Sequence, residues 1–165
     1  ENLSSLYKMV SRKLESTTDD LNIMASNLKL TMFKGVFSMD TLPKYVEKET
    51  MFITNTDSSN LPGTHWIAVV IRHGRGYCFD PLGYPPPIFL KSWLNGHSVQ
   101  WSYNSRQVQP HFTNLCGHFC IHFLSYCAKD YYHEVPYSSI VDIIYPVYYD
   151  KNIYEQSIIG FFKLR

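Results

Sequence analysis

The segment 113–130 alternates cysteine and histidine near its start, with Cys116, His118, Cys120 and His122 in the run CGHFCIH. These residue types can bind a metal ion, form disulfides, or act as nucleophile and base in acyl transfer. The run is apolar and long enough to predict a buried helix, on which residues two apart point about 200° apart. The four side chains therefore cannot all face one ion, and no spacing elsewhere supplies a second pair of zinc ligands.

A free cysteine also serves as a small apolar core residue. The predicted helix begins near Leu115, and one of its faces would bury Cys120, Phe123, Leu124 and Cys127. We interpret Cys120 and Cys127 as core residues on this basis. They need no chemical role.

Cys116 differs because it opens the predicted helix, after the polar pair TN. Its sulfur would lie near unpaired backbone N–H groups and the positive end of the helix dipole, which favour the thiolate that attacks a carbonyl group. Gly117 is expected to let a substrate carbonyl approach the backbone without a Cβ in the way. His118 and His122, on the far side of the helix, are expected to be polar core or surface residues.

A nucleophilic cysteine needs a base and a group that orients the base. Of seven histidines, His65 alone opens an apolar strand, HWIAVVI, and Asp80 ends the following strand, YCFD. A turn at 73–74 or at 74–75 places both on the same sheet face, and the first register leaves them closest. Taken singly, His65 could be a surface histidine and Asp80 a turn initiator before Pro81. Asp57 is the next candidate acceptor.

The elements that position these residues predict an α+β fold. A first helix is expected from the spacing of Leu3, Leu6, Tyr7, Val10 and Leu14, and a second through Leu21, Met24 and Leu28 after the caps in STTDD. Strands are expected at Met51–Asn55, HWIAVVI, YCFD and VQWSYN, and further helices at CGHFCIHFLSYCAKD, YSSIVDIIY and DKNIYEQSIIGFFKLR. The prediction is a small, mainly antiparallel sheet packed by helices on its faces.

Composition excludes several classes of protein. With 165 residues and 45% apolar residues, the chain can bury one core. Its 15 Lys and Arg nearly balance 14 Asp and Glu, unlike a nucleic-acid binder. Four cysteines without a disulfide spacing, and no apolar run of membrane length, predict an intracellular protein of a reducing compartment. A start at Glu1 rather than Met suggests a piece of a longer protein.

The strings GTHWIAVVI, CFDPLG and VQPHFTNLCGHFC together resemble the adenovirus-type and SUMO-protease-type cysteine peptidases. In that family a His-Trp pair, an acid or amide, a glutamine and a C-G-x-F/Y segment follow in this order. The resemblance implies the adenain-like, ubiquitin-like-protease fold, with His65 as base and Asp80 as its orienting group. It also implies Gln109 as oxyanion-hole donor and Cys116 as nucleophile. Gln109 is preferred to Gln107 because it stands seven residues before Cys116, as in the adenoviral branch.

Two further strings, FKGVFSMDTLP and ITNTDSSNLPGTHW, look most like the capsid-maturation proteases of Polinton (Maverick) elements and virophages. The resemblance covers about 33–129, and 1–29 match no family motif. We therefore divide the chain into an N-terminal helical segment of uncertain role, 1–30, and a cysteine protease domain, 31–165. Trp66 is expected either to cover the imidazole or to fill the core.

The resemblance implies an endopeptidase that cleaves after small residues, in Gly-x or Gly-Gly contexts, in viral capsid or core precursors. It implies that the protein works in the cytoplasm or nucleus of the host cell and that it can be packaged in the virion. It also makes an activating viral peptide a candidate partner. No metal, cofactor or membrane is expected, and the balanced charge argues against stimulation by DNA. Two alternatives stay open: a protease that removes SUMO or another ubiquitin-like modifier, and a non-enzymatic interaction module.

Overall fold

The computed structural model describes residues 16–57, 60, 65–98, 100–111 and 113–164. The helix predicted from Leu3 to Leu14 lies outside them. The elements are, in chain order, α1 (Thr18–Asn27), β1 (Phe33–Phe37), β2 (Glu49–Asn55), β3 (Trp66–Arg72), β4 (Arg75–Phe79), α2 (Ile88–His97), β5 (Gln100–Tyr103), α3 (Cys116–Cys127), a 3-10 turn (Asp130–Tyr132), α4 (Tyr137–Ile144) and α5 (Lys151–Phe162).

The predicted α+β fold is confirmed. Four predicted strands and four predicted helices are present with small shifts at their ends, whereas β1 and α2 were not predicted. Strand β1 is irregular: Gly35 has a positive φ of 133°, and the pairing register shifts between Phe33 and Val36. An interior glycine and a register shift remove the alternation by which a strand is recognised in a sequence.

The sheet has the order β1-β2-β3-β4-β5. The central strand β3 is antiparallel to both β2 and β4, and each edge strand runs parallel to its neighbour. The sheet is thus mixed. Helix α2 forms the crossover that a parallel β4–β5 pair requires.

The β3–β4 hairpin has the first of the two registers expected from the sequence, with the turn at 73–74. Arg72 pairs with Arg75, which leaves His73 and Gly74 as a two-residue turn. Both have positive φ, 51° and 78°, as the tight turn of a twisted hairpin needs. Because the turn closes one end of the hairpin, the start of β3 and the end of β4 lie together at the other end.

Two apolar layers cover the two faces of the sheet. Helices α1, α3, α4 and α5 cover one face with a large core that includes Phe79, Phe119, Phe123 and Tyr145. Helix α2 covers the other face, where Phe52 packs edge-on against Trp93 at 5.0 Å between ring centroids. Almost every residue of α3 is buried, so this helix lies in the centre of the protein.

Helix α1 begins where the sequence predicted it. The Thr17 hydroxyl accepts from the backbone N–H of Asp20, and the Asp20 carboxylate accepts from the backbone N–H of Thr17, which forms a capping box. Leu21 and Ala25 then enter the same core as α3. The boundary at residue 30 stays a prediction, but Leu21 and Ala25 of α1 pack in the same core as the residues of α3.

Across the described ranges, no helix combines the length and apolar character needed to cross a membrane.

Candidate active site

His65 and Asp80 meet at the open end of the β3–β4 hairpin. The His65 Nε2 and Asp80 Oδ1 atoms are 2.6 Å apart, and the two side chains are 14% and 3% exposed. The backbone oxygen of His65 also accepts from the N–H of Thr56, 3.0 Å away, which ties the histidine to the chain leaving β2. Since Nε2 is bonded to the carboxylate, Nδ1 is the ring nitrogen left for proton exchange with a nucleophile.

Asp80 is held by its neighbours as well as by the histidine. Its Oδ1 accepts from the backbone N–H of Leu82 at 2.8 Å, in a tight turn after β4. Its own backbone N–H donates to Asn104 Oδ1 at 2.8 Å. Asp80 is therefore fixed by hydrogen bonds at both its backbone and its side chain.

The electrostatics of His65 depend on both expected partners. Burial alone lowers its pKa, but hydrogen bonds and charge interactions with Asp80 and Cys116 outweigh burial and raise the pKa from 6.5 to about 9. The imidazolium form is therefore stabilised at neutral pH. An imidazolium next to a cysteine favours the thiolate of that cysteine.

Cys116 is the first residue of α3, as predicted. The N-cap residue, Leu115, provides no side-chain hydrogen bond, so its side chain does not cap the first N–H groups of the helix. Cys116 is half-buried, whereas Cys78, Cys120 and Cys127 are buried. The prediction that Cys120 and Cys127 are core residues is confirmed, and burial raises the pKa of both thiols.

The expected role of Gly117 was wrong. A Cβ on Gly117 would lie 2.8 Å from Leu21 Cδ2 and 3.1 Å from Ser16 Cβ. Its bare side thus faces the N-terminal segment. Glycine is needed here because Leu21 of α1 and the preceding Ser16 pack directly on the start of α3.

Gln109 is buried close to the loop that leads to Cys116. Its Nε2 donates to the backbone oxygen of Thr113 at 2.9 Å and to the Thr113 hydroxyl at 3.0 Å, while its Oε1 has no hydrogen-bond partner. The carbonyl of Thr113 fixes which way the amide points, with nitrogen toward the loop that leads to Cys116. The competitor, Gln107, instead donates to the backbone oxygen of Gln109 at 2.8 Å.

Trp66 has a role that the sequence did not indicate. Its ring packs on the main core, and its indole N–H donates to the backbone oxygen of Ser16 at 3.1 Å. The Ser16 hydroxyl lies 3.2 Å from His118 Nδ1. The chain before α1 thus bridges the strand after His65 and the helix after Cys116. No local pattern near residue 16 predicts this, because its partners lie 50 and 102 residues away.

His118 and His122 were expected to be either polar core residues or surface residues, and the structure shows that they are core residues. Each is 4% exposed. His122 Nδ1 is 2.8 Å from the hydroxyl of Tyr145. In the part of the chain that the structure describes, no group of three or more His, Cys, Asp or Glu side chains is placed to hold a metal ion.

Comparison with known proteins points to viral proteases. No family model matches the chain. The chain is 26% identical over 148 residues to the protease of Porcine adenovirus A serotype 3, a match that covers 78% of this chain and 72% of the relative.

The fold is that of a solved viral protease. Crystal structures of the ASFV pS273R protease, selenomethionine-substituted and native, each match with a TM-score of 0.57 and 14% identity. The matches cover 87% and 86% of this chain but only 66% and 63% of those chains. The fold expected from the sequence is therefore confirmed: this chain has the α+β fold of the pS273R protease, and its sequence is related to that of an adenoviral protease.

Proposed function

We propose that this chain is a cysteine endopeptidase in which Cys116 is the nucleophile, His65 the base and Asp80 the group that orients the base. The observation that carries the proposal is the hydrogen bond between His65 Nε2 and Asp80 Oδ1, which are 2.6 Å apart. Asp80 and Cys116 both raise the pKa of His65. The relation to an adenoviral protease supports the same reaction class.

The reaction follows from this arrangement. The Cys116 thiolate attacks the scissile carbonyl carbon, and negative charge moves to the carbonyl oxygen. His65, as imidazolium, then gives its proton to the leaving amine, and the C–N bond breaks to leave an acyl-enzyme. Water attacks the thioester while His65 takes its proton, which releases the acid and regenerates the thiolate.

We assign the developing oxyanion to two donors, the backbone N–H at the start of α3 and the amide of Gln109. A donor of this type contributes about 3 kcal/mol to transition-state binding. Both amide hydrogens of Gln109 point to Thr113 in the free protein. One of them must therefore exchange the Thr113 hydroxyl for the substrate oxygen, which costs little because that hydroxyl keeps its own bond to Pro110.

Alkylation and mutation of the thiols test this chemistry. Iodoacetamide should modify Cys116 first at neutral pH, because Cys78, Cys120 and Cys127 are 0% exposed. Cys116→Ala should abolish peptide hydrolysis without unfolding the protein. Cys120→Ala, one helical turn away, is the matched control and should keep activity within about threefold. A folded but inactive Cys120→Ala protein, or activity that zinc chelation removes and zinc restores, would overturn the assignment.

For the substrate, we propose extended segments with a small residue, Gly above all, before the scissile bond, in capsid or core precursors of a virus-like element. The resemblance to maturation proteases supports this, and we place the enzyme in the Polinton or virophage branch, inside the host cell. The four free cysteines suit a reducing interior. The same resemblance makes an activating viral peptide a candidate partner, and we do not propose DNA as a partner.

A maturation protease reads a few extended residues, whereas a deconjugating protease also binds the folded modifier. We therefore expect a Gly-x octapeptide to be cleaved with a kcat/KM similar to that of the same sequence in an unfolded loop. SUMO and ubiquitin fusions ending in Gly-Gly should be poor substrates. An advantage of a hundredfold or more for a folded modifier, about 2.7 kcal/mol, would instead favour deconjugation.

A further inference from the structure

Asn104 lies directly after β5, beside the point where Asp80 leaves β4. The last backbone pair of these two strands is Cys78 with Tyr103. Beyond it, the side chain of Asn104 continues the pairing: Oδ1 accepts from the Asp80 N–H at 2.8 Å, and Nδ2 donates to the Asp80 carbonyl oxygen at 2.6 Å. One side-chain amide thus bonds both backbone polar groups of the acid.

Asn104 also binds the loop that carries Gln109. Its Nδ2 donates to the backbone oxygen of Arg106 at 3.1 Å. From the other side, the backbone oxygen of Pro81 accepts from the N–H groups of Val108 and Gln109, each at 2.9 Å. The turn after Asp80 and the loop before Gln109 therefore form one hydrogen-bonded unit.

Gly83 shows how closely these two segments pack. Its φ is +77°, and a Cβ there would lie 2.8 Å from the backbone nitrogen of Gln107. Asn104 itself is only 5% exposed, so water does not compete for its hydrogen bonds. With the amide removed, the backbone groups of Asp80 would be left without these partners inside the protein.

We propose that Asn104 is a positioning residue, which holds the Asp80 carboxylate against His65 and couples the acid to the Gln109 loop. The inference rests on the proposed cysteine protease function. Asn104 acts through Asp80 and needs no contact with substrate. An aspartate could not replace it, because it lacks the N–H donors that the Asp80 and Arg106 oxygens require and adds a second negative charge beside Asp80.

A purely structural asparagine and a positioning one differ in what they do to His65. Among the residues that the structure describes, the groups that interact electrostatically with His65 are Asp80, at the end of β4, and Cys116, at the start of α3. If Asn104 holds Asp80, its loss weakens the interaction that keeps the imidazolium charged. The alkaline limb of the pH profile of kcat/KM then moves to lower pH. A structural asparagine would lower stability and leave the limb in place.

The experiment compares Asn104→Ala with Asn95→Ala in the full chain. Asn95 is a matched control because its Oδ1 also accepts a hydrogen bond, from Trp101 Nε1 at 2.6 Å, on the α2 face of the sheet. With a Gly-x peptide, Asn104→Ala should lower kcat about tenfold to a hundredfold, change KM less than twofold, and shift the alkaline limb down. Asn95→Ala should leave all three unchanged. An Asn104→Ala enzyme with normal kcat and an unmoved limb would sink the proposal.

Two further measurements separate this proposal from other failures. If Asn104→Ala does not fold, Asn104→Ser, which keeps one hydroxyl for the Asp80 backbone, should show a smaller change in the same direction. If wild type cleaves no peptide, the proposed function fails, but the His65 pKa read by NMR still tests the positioning. That pKa should fall from wild type to Asn104→Ala and stay constant in Asn95→Ala. Equal pKa values in all three proteins would contradict the role.

Discussion

His65 and the two histidines of α3 are all withdrawn from water, yet their pKa values move in opposite directions. Burial lowers the pKa of His118 and of His122 from 6.5 to about 4. Burial acts in the same sense on His65, but Asp80 and Cys116 reverse it and raise the pKa to about 9. Similar burial therefore produces a charged imidazole at one place and neutral ones at the other.

The difference lies in the partners. His118 is next to the hydroxyl of Ser16, and His122 is next to the hydroxyl of Tyr145. Neutral partners cannot offset the cost of burying an imidazolium, and for His118 the distant charge of Asp20 opposes burial without overcoming it. A carboxylate at 2.6 Å does offset this cost for His65. The comparison teaches that the acid distinguishes the proposed base from a core histidine of the same chain.

The largest expected effect separates the two kinds of histidine by activity. His65→Ala should lower kcat/KM by about a thousandfold to ten-thousandfold, because proton transfer and the orientation of the thiolate are lost. His122→Asn, which puts an amide oxygen where Nδ1 accepts or donates, should stay within about threefold of wild type. Both are measured with one Gly-x peptide, after circular dichroism has shown that the variants are folded.

The opposite ranking would break the comparison. If His122→Asn lost activity as severely as His65→Ala while remaining folded, a histidine of α3 would have to act in the reaction. A His65→Ala enzyme with more than a tenth of wild-type activity would remove His65 from the mechanism.

The parts of the site that lie at element boundaries could be predicted from the sequence. The apolar strand after His65, the turn near Gly74 and the strand before Asp80 fix which residues share the open end of the hairpin. The helix start at Cys116 follows from the change from polar TN to an apolar run. In each case the relevant signal is local, so a single sequence contains it.

The parts that depend on distant contacts could not be predicted. Gly117 was given the wrong reason because its neighbours, Ser16 and Leu21, are about a hundred residues earlier in the chain. Asn104 reads as an ordinary residue after a strand, since nothing local shows that β5 lies parallel to β4 and brings it to Asp80. Helix α2 is the crossover connection that makes this parallel pairing possible, and the helix was itself not predicted.

The second prediction concerns acid stability. In the unfolded chain His118 and His122 take up protons as the pH falls through 6.5, whereas in the folded protein they stay neutral until about pH 4. Unfolding therefore takes up protons in this window, and the free energy of unfolding should fall from pH 6.5 toward pH 4, by about 2 kcal/mol for each histidine. His65 has the opposite sign: its contribution is complete below pH 6.5 and is lost as the pH rises through about 9.

Urea unfolding of wild type and His122→Asn at pH 7.5 and pH 4.5 measures this contribution. The variant should lose about 2 kcal/mol less than wild type between the two pH values, because an amide does not titrate. Equal losses in the two proteins would show that His122 is protonated in the folded state as easily as in the unfolded one.

The smallest expected effect comes from replacing Asp80, whose carboxylate makes the pKa of His65 differ from those of His118 and His122. In Asp80→Asn the amide oxygen can still accept from His65 Nε2 and from the Leu82 N–H, so the ring stays oriented. The negative charge is lost, however, and with it the charge interaction with Asp80 that helps to raise the His65 pKa against burial. We expect kcat/KM to fall about tenfold to fiftyfold, far less than in His65→Ala.

The pH profile of kcat/KM shows whether the fall comes from the lost charge of Asp80 or from a changed orientation of the His65 ring. Without the carboxylate the His65 pKa drops, the imidazolium is lost at lower pH, and the alkaline limb of kcat/KM should move from near pH 9 toward neutrality by at least about one unit. Asp142→Asn is the matched control, since this aspartate pairs with Arg106 at 3.0 Å and its side chain is 60% exposed. Asp142→Asn should change neither kcat/KM nor the alkaline limb of its pH profile. An Asp80→Asn enzyme that is slower but keeps its limb near pH 9 would mean that another acid sets the charge of His65. Asp57, in the chain leaving β2, would then be the first residue to replace.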